Sequence, residues 1–261
     1  MTNKTALITG GASGLGYEFA TLLAKDAYHL ILIDIDSEKL KETKKKLEDK
    51  YKTQVITIRK DMSTHNCASE LFEEIKETPI DVLINNAGFG LYGHFHNTDW
   101  EREASMLNLH IISTTHLTKL ILKGMVEKGQ GKILNMSSLA AFQPGPLMSI
   151  YYASKAYILS FSEAIANELK GTGVTVTVLC PGQTKTSFQE VVSQETSENK
   201  IGFNMASPDE VAKYGYKAML NGESVVIPGN FNKFLSFLPR ILPRNIAATI
   251  VRKIQEKNRA D

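Results

Sequence analysis

The chain has 261 residues, of which 43% are hydrophobic and 22% charged, a composition typical of a globular protein large enough for one α/β domain. A formal net charge of +2 and the lack of a dense basic stripe with aromatic residues argue against nucleic acid as a partner.

The first strand-like residues begin at Thr5, and no apolar run approaches the ~18 residues needed to span a bilayer. The two cysteines, Cys67 and Cys180, belong to no C-x-x-C pair, so neither a metal site nor a redox dithiol is predicted. We therefore expect a cytoplasmic protein with no targeting segment.

Short apolar runs of β type alternate along the chain with amphipathic stretches of helical length. Several runs, such as residues 30–33, are continuously apolar, as parallel strands covered by helices on both faces must be. This alternation predicts a single Rossmann-type α/β domain with a doubly wound parallel sheet of roughly seven strands and a ligand crevice at their carboxyl ends. The predicted strands are residues 5–9, 30–34, 54–58, 82–85, 132–136, 174–179 and 224–227.

A glycine-rich turn, T-G-G-A-S-G-L-G, follows the first predicted strand, with Gly10, Gly14 and Gly16 in it. Glycine is needed where the backbone takes a positive φ or closely approaches a ligand. The helix that begins near Gly14 would point free N–H groups and its positive dipole end at a pyrophosphate. The spacing differs from G-x-G-x-x-G, so the turn alone leaves a purely structural role open.

Asp34 ends the second predicted strand and indicates which nicotinamide cofactor would bind. A carboxylate there can accept hydrogen bonds from the adenosine ribose and would repel a 2′-phosphate. No Lys or Arg occurs at residues 11–13, and Ile35 follows Asp34. NAD is therefore favoured over NADP, with the alternative that Asp34 only caps the helix starting near Asp36.

Tyr151 and Lys155 are four positions apart and would lie on one face of a helix. A phenol has an ordinary pKa of about 10, and a nearby cation lowers it toward the range useful for proton transfer. Ser138 can donate a hydrogen bond to a substrate oxygen, although Ser137 is chemically equal. Tyr152 is a poor rival because position 156 is alanine. Taken singly, each of these residues is more simply explained as a structural one.

Together, and in this order, these motifs resemble the short-chain dehydrogenase/reductase family over about residues 4–228. The resemblance also rests on N-N-A-G at residues 85–88, Asn108, and Pro181-Gly182 followed by Thr186. Two segments further resemble a bacterial branch of ketone and acyl-type reductases: F-G-L-Y-G-H-F and F-Q-P-G-P-L-M-S-I-Y-Y-A-S-K-A. The resemblance implies hydride transfer with a nicotinamide cofactor and a homodimer or homotetramer paired through residues 99–127 and 151–170.

The resemblance also implies roles for individual residues. Asn108 would hold a water that links Lys155 to solvent, and Lys155 would also bind the nicotinamide ribose. Asp61 and Met62 would meet the adenine. The residues that it places at the cofactor are Gly10, Ser13, Gly14, Leu15, Gly16, Asp34, Asp61, Met62, Asn85, Ala87, Gly88, Tyr151, Lys155, Pro181, Gly182, Thr184 and Thr186.

The substrate is expected to be small to medium-sized and fairly apolar. Residues from about 188 to 205, which follow the nicotinamide segment, are predicted to form a mobile lid. The histidines at positions 94, 96, 110 and 116 show no metal-ligand spacing and receive no role. The predicted pocket wall between Ser138 and Tyr151 consists of Phe142, Pro144, Pro146, Leu147 and Met148.

A helical tail, residues 229–261, is expected to follow the domain formed by residues 1–228. Its apolar residues recur at helical spacing, which favours packing against the body or a partner subunit. A membrane-surface helix is the alternative, since basic residues accompany them. The apolar residues are Phe231, Phe234, Leu235, Leu238, Ile246, Ile250 and Ile254, and the basic ones Arg240, Arg244, Arg252 and Lys253.

The predicted function is hydride transfer between NAD and a secondary alcohol or ketone, with Tyr151 as general acid/base. The alternatives are a nucleotide-sensing protein with little turnover, an NADP-preferring carbonyl or 3-oxoacyl-type reductase, and an epimerase or dehydratase. A sensor would not need Asn108, Ser138, Tyr151 and Lys155 together, which favours an enzyme.

Overall fold

The computed structural model describes residues 4–185 and 205–259, with side chains up to residue 257. In this part of the chain a seven-stranded parallel sheet has the order β3-β2-β1-β4-β5-β6-β7. The strand order reverses between β1 and β4, and the predicted doubly wound fold is confirmed. The strands are β1 (Thr5–Thr9), β2 (His29–Asp34), β3 (Val55–Arg59), β4 (Val82–Asn85), β5 (Gly131–Met136), β6 (Val174–Leu179) and β7 (Val225–Val226).

Helices cover both faces of the sheet, and two more follow the last strand. A single turn of π-helix, Asn108–Ser113, joins the fourth helix to the fifth, and 3-10 turns span Leu139–Phe142 and Leu238–Arg240. The helices are α1 (Gly14–Lys25), α2 (Ser37–Tyr51), α3 (Cys67–Ile75), α4 (Trp100–Leu107), α5 (Thr114–Lys128), α6 (Ser149–Glu168), α7 (Pro208–Asn221), α8 (Asn230–Phe237) and α9 (Arg244–Arg259).

The apolar strands bury both of their faces, as their composition predicts. All five residues of β1 are buried, and successive side chains point to opposite faces. Ile8 packs with Phe19 of α1 in one core cluster. Leu7 packs with Leu71 of α3 and Leu117 of α5 in the other. The sheet is therefore enclosed between two helical layers, and only the strand ends are open to a ligand.

A buried polar network fixes the central strands to the helices beside them. Asn85 Nδ2, at the end of β4, donates to Thr118 Oγ1 of α5 at 2.9 Å and to Asn135 Oδ1 of β5 at 2.8 Å. Asn135 Nδ2 donates in turn to Ser162 Oγ of α6 at 2.9 Å. Buried amides satisfied in this way hold a single arrangement, so the network sets the position of α6 relative to the sheet.

Helix α9 packs on the body through a different face from the predicted one. Ala247 and Val251 of α9 are buried, and Gln255 Nε2 donates to Tyr152 OH at 2.7 Å. Phe231 and Phe234, by contrast, are 66% and 58% exposed in the single chain. The phenylalanine side chains therefore do not pack on the body of the single chain, and packing of that face against a partner subunit stays a prediction. No helix within the two described ranges is both long and apolar enough to cross a bilayer.

Candidate active site

The glycine turn between β1 and α1 has the geometry that its sequence predicts. Gly10 and Gly14 have φ of +65° and +54°, where a side chain would be strained. A Cβ at Gly16 would collide with the backbone oxygen of Gly10, so only glycine fits beneath the turn. Ser13 precedes α1 without a side-chain cap hydrogen bond, and the first turn of α1 carries no acidic residue. The N–H groups at this helix end suit a pyrophosphate.

Asn86 holds the glycine turn against the end of β4. Its Nδ2 donates to Thr9 O at 3.1 Å and to Gly10 O at 3.0 Å. Thr9 Oγ1 accepts hydrogen bonds from the backbone N–H groups of Asn86 and Ala87, both at 3.1 Å. Asn86 was not predicted as a site residue, whereas the side chain of Asn85, which was, joins the network inside the sheet.

Asp34 lies in the wall of the cleft and also braces the glycine turn. Its Oδ2 accepts from Ala12 N at 3.0 Å, and its Oδ1 accepts from Asp36 N at 3.1 Å. Helix α2 is capped by Asp36, which accepts from the backbone N–H groups of Glu38 and Lys39. The alternative that Asp34 serves only as that cap is therefore wrong. A carboxylate has about four acceptor positions, which leaves Asp34 able to bind ribose hydroxyls as well.

Two lysines near Asp34 are paired with carboxylates. Lys39 Nζ lies 3.3 Å from Asp36, and Lys60 Nζ lies 2.8 Å from Glu74 and 3.2 Å from Glu70. The paired carboxylates raise the pKa of Lys60. Both lysines line the cleft, but their charge is already compensated, so they offer a 2′-phosphate less attraction than free cations would.

A cleft of about 800 Å³ opens at the carboxyl ends of the strands. It is lined by most of the predicted residues, whereas Gly16, Asn85 and Asn108 do not line it and Thr186 lies outside the described residues. The predicted residues in its wall are Gly10, Ser13, Gly14, Leu15, Asp34, Asp61, Met62, Ala87, Gly88, Ser138, Tyr151, Lys155, Pro181, Gly182 and Thr184.

Tyr151 and Lys155 lie on α6 and both reach this cleft. Lys155 Nζ is 5.7 Å from the centre of the Tyr151 ring and donates to Met136 O at the end of β5 at 3.0 Å. Burial lowers the pKa of Lys155 to about 8. The group is therefore mainly an ammonium ion at neutral pH, and its charge favours the phenolate form of a nearby tyrosine.

The structure separates the two candidate serines. Ser137 is buried, and its hydroxyl donates to the backbone oxygen of Lys155 at 2.8 Å, which ties β5 to α6. Ser138 Oγ accepts from Ala140 N at 3.1 Å and so caps the short turn that follows. Accepting that bond leaves the Ser138 proton available to a substrate oxygen. The hydroxyl of Ser138, rather than that of Ser137, is suited to meet substrate.

Asn108 makes a hydrogen bond that the resemblance does not indicate. It begins the π-helical turn, and its Nδ2 donates to the backbone oxygen of Ser63 at 2.9 Å. That bond fixes the segment after β3 that carries Asp61 and Met62. A water held between Asn108 and Lys155 stays a prediction.

The substrate side of the cleft contains only part of the predicted wall. Met148 lines it, but Phe142, Pro144, Pro146 and Leu147 do not. The short turn Leu139–Phe142 rotates Phe142 into a separate cluster, and the wall is completed by Ala140, Gln143, Tyr152 and, from the tail, Gln255. No local sequence pattern indicates that Gln255 returns to the cleft. The predicted lid, residues 188–205, lies outside the described residues except at its last position.

Comparisons with known proteins support the class that the fold and cleft define, a nucleotide-binding α/β protein. A family model described as short chain dehydrogenase matches residues 4–197. Ketoacyl reductase HetN of Nostoc sp. is 33% identical over 87% of this chain and 79% of that protein. Very-long-chain 3-oxoacyl-CoA reductase of Rattus norvegicus is 32% identical over 67% of this chain and 58% of that protein. The chain belongs to the short-chain dehydrogenase family and is an NAD(P)-dependent oxidoreductase of CH–OH or C=O groups.

Solved structures share the fold. A 7beta-hydroxysteroid dehydrogenase superposes with a TM-score of 0.86 at 23% identity, covering 95% of this chain and 96% of that chain. A short-chain dehydrogenase of Sphingobium yanoikuyae in complex with NADPH has a TM-score of 0.79 at 25% identity, covering 92% of this chain and 97% of that chain. A short-chain dehydrogenase/reductase from Burkholderia phymatum in complex with NAD has a TM-score of 0.82 at 22% identity, covering 91% of this chain and 93% of that chain.

The depressed pKa of Lys155 predicts how the stability of the cofactor-free protein depends on pH. Between about pH 8 and pH 10.5 the folded lysine is neutral while the unfolded one still binds a proton, so this group makes stability rise with pH. Relative to Lys155→Met, the wild type should gain roughly 3 kcal/mol of unfolding free energy across that window. Urea unfolding of both proteins at the two pH values measures the gain. If the unfolding free energies of the wild type and Lys155→Met differ by the same amount at both pH values, burial does not depress the pKa of Lys155.

Proposed function

We propose that the protein transfers hydride between NAD and a secondary alcohol or ketone, with Tyr151 as general acid/base. The observation that carries this proposal is the meeting of Tyr151, Lys155 and Ser138 at one end of the cleft, with Asp34 at the other. A sensor would need the Asp34 end and the glycine turn, but would not need a buried ammonium ion beside a phenol.

The cofactor, when bound, accepts or supplies the hydride, and the protein binds, orients and moves one proton. The first turn of α1 would hold the pyrophosphate, and Asp34 would hold the adenosine ribose. In reduction, the Tyr151 hydroxyl gives its proton to the substrate oxygen; in oxidation, the phenolate removes it. Ser138 donates a hydrogen bond to the same oxygen, where charge develops. Lys155 lowers the energy of the phenolate in both directions.

The wall of the cleft favours an apolar substrate. Its lining includes side chains that supply mainly apolar surface: Phe89, Leu139, Ala140, Met148 and Tyr152. The named relatives include ketoacyl, 3-oxoacyl-CoA and hydroxysteroid enzymes. A ketone on a lipid-like skeleton is the substrate class that fits both observations. An NADP-preferring acyl reductase is the alternative.

Tyr151→Phe should abolish turnover while cofactor still binds, because only the hydroxyl that moves the proton is removed. Steady-state kinetics with NAD and a panel of secondary alcohols, together with NADH titration by fluorescence, measures both effects. Tyr157→Phe is the matched control, since Tyr157 lies on the same helix and bonds Thr115 at 3.0 Å outside the cleft. Retention of more than about a tenth of the wild-type kcat, a loss under ~1.4 kcal/mol, would refute the role of Tyr151.

NADH should bind more tightly than NADPH, because Asp34 accepts from ribose hydroxyls and repels a 2′-phosphate. Asp34→Ala should lower the ratio of the Kd for NADPH to the Kd for NADH by at least about tenfold, since juxtaposed like charges typically cost several kcal/mol. Asp49→Ala makes an equal change of charge on the exposed side of α2. It should leave the ratio of the two dissociation constants unchanged. Equal or tighter binding of NADPH by the unmodified protein would overturn the assignment.

We also propose that the protein is a homodimer, or a tetramer built from dimers, paired through α4, α5 and α6. Large apolar side chains are exposed on this surface in the single chain, including Ile112 at 58% and Tyr157 at 37%. Tyr157 stacks on Phe161 with ring centres 5.8 Å apart, which forms a flat apolar patch on α6. A second copy would cover this patch.

The outer face of the tail fits an anionic membrane surface, and we propose that it binds one peripherally. Its exposed apolar residues are too many for an ordinary surface. The tail, residues 229–261, carries seven Lys or Arg and two Asp or Glu, whereas the rest of the chain has more acidic than basic residues. Two tails packed together would bring like charges together, but anionic headgroups would neutralise them. The exposed residues are Phe231, Phe234, Phe237, Ile241, Ile246, Ile250 and Ile254.

The intact protein should therefore co-sediment with vesicles rich in phosphatidylserine and not with purely phosphatidylcholine vesicles. Deletion from Gly229 onward should abolish binding and, because Gln255 lines the cleft, should also raise the substrate KM. Phe234→Asp should weaken binding at least about tenfold through lost apolar burial and added repulsion. Phe95→Asp is the matched control, since Phe95 is 61% exposed outside the tail. If Phe234→Asp instead changes the oligomeric state without vesicle binding by the wild type, the face pairs two copies.

A further inference from the structure

His110 is a buried histidine beside the catalytic residues to which the proposed mechanism gives no part. It lies in the π-helical turn between α4 and α5 and is 1% exposed. Its ring centre is 6.0 Å from that of Tyr151, and the two rings meet edge to face. Burying an imidazole is costly unless its nitrogens are hydrogen-bonded, so the partners of the two ring nitrogens are informative.

The hydrogen bonds of Ser154 fix which ring nitrogen of His110 carries the proton. Ser154 Oγ donates to the backbone oxygen of Tyr151 at 2.8 Å, because a carbonyl can only accept. A hydroxyl has one proton, so the 2.8 Å bond between Ser154 Oγ and His110 Nδ1 must be donated by the histidine. His110 is therefore the Nδ1–H tautomer, and its Nε2 presents a lone pair.

That lone pair faces the catalytic lysine across Gly88. Nε2 is buried and has no hydrogen-bond partner among the described residues. A Cβ at Gly88 would lie 2.8 Å from His110 Nε2 and 3.5 Å from Lys155 Nζ. Glycine at this position thus lets an acceptor and an ammonium ion approach the same point.

We propose that His110 is a positioning residue for the proton relay: its Nε2 accepts a hydrogen bond from a water that also contacts Lys155 Nζ beside Gly88. The water would then have two polar partners, the minimum for a buried site. It would accept from the ammonium ion and donate to the imidazole, which orients Lys155 toward Tyr151. This inference rests on the proposed function of Tyr151.

The surroundings keep His110 neutral, as an acceptor must be. Burial, and then the charge of Lys155, holds the pKa of His110 well below its ordinary value. The other ionisable groups that face this site are Tyr151 on α6 and Cys180 after β6, whose thiol has its pKa raised to about 12 by burial. Arg102 of α4 lies behind Phe89, 5.3 Å from its ring centre. His110 therefore holds the relay and does not itself carry the proton.

Two amide variants, each of which replaces one ring nitrogen, distinguish this role from simple packing. His110→Gln places an amide where Nε2 lies and loses the bond to Ser154, whereas His110→Asn keeps an amide near Nδ1 and loses the acceptor facing Lys155. We expect His110→Asn to lower kcat for alcohol oxidation about tenfold. It should also raise the apparent pKa of kcat/KM by about half a unit, because a less stabilised ammonium ion favours the phenolate less. His110→Gln should keep both values near those of the wild type. Any other pattern between these variants overturns the proposal.

A measurement without turnover separates this inference from the proposed function. In cofactor-free protein labelled with ¹⁵N-histidine, NMR should show His110 as the neutral Nδ1–H tautomer, with no titration between pH 5 and pH 8. A protonated Nε2, or titration near the ordinary value of about 6.5, would exclude an acceptor role whatever the enzyme's activity. If the NMR result holds but Tyr151→Phe remains active, the proposed function fails and not the acceptor geometry.

Discussion

The candidate active site depends on keeping one ammonium ion buried where the sheet meets α6. Lys155 is 5% exposed and donates to Met136 O, while no carboxylate within the described residues lies in hydrogen-bond contact with it. Burial without a carboxylate opposes the charged form, as its lowered pKa shows. The same lack of compensation leaves the charge available to the phenol of Tyr151. Burying this ammonium ion reduces the stability of the fold, and the same buried charge supports the proposed proton transfer by Tyr151.

Neutral hydrogen bonds, rather than ion pairs, keep α6 in place around that charge. Ser137, directly after β5, donates to the backbone oxygen of Lys155, and Asn135 within β5 donates to Ser162. Asn85 continues the same chain of bonds to α5. Because these groups are buried and satisfied, a shift of α6 would break several bonds at once. The network therefore gives Tyr151 and Lys155 a fixed distance from the ends of the strands, where the nicotinamide ring would lie.

The sequence predicted those features that local spacing determines. Continuous apolar runs identify parallel strands, and the glycine turn has one geometry that suits it, so the sheet and the turn between β1 and α1 were predicted well. Asn86 was not predicted because its bonds to the glycine turn depend on which way the side chain leaves the end of β4. Phe142 was misplaced because a single 3-10 turn rotates its side chain away from the cleft. His110 was passed over because its partner, Ser154, lies 44 positions away along the chain.

The tail shows why periodicity alone cannot tell a buried face from an exposed one. Helix α9 places Ile246, Ile250 and Ile254 on one side, but it contacts the body through Ala247 and Val251 on another. Both sides are apolar, so the pattern permits either arrangement. The structure gives the inner side to the substrate wall through Gln255 and leaves the outer side exposed. A surface bound to the outer side of α9 would therefore be separated from the substrate cleft by one helix. Binding there could alter access to the cleft only by moving α9, because no residue of the exposed face reaches the cleft itself.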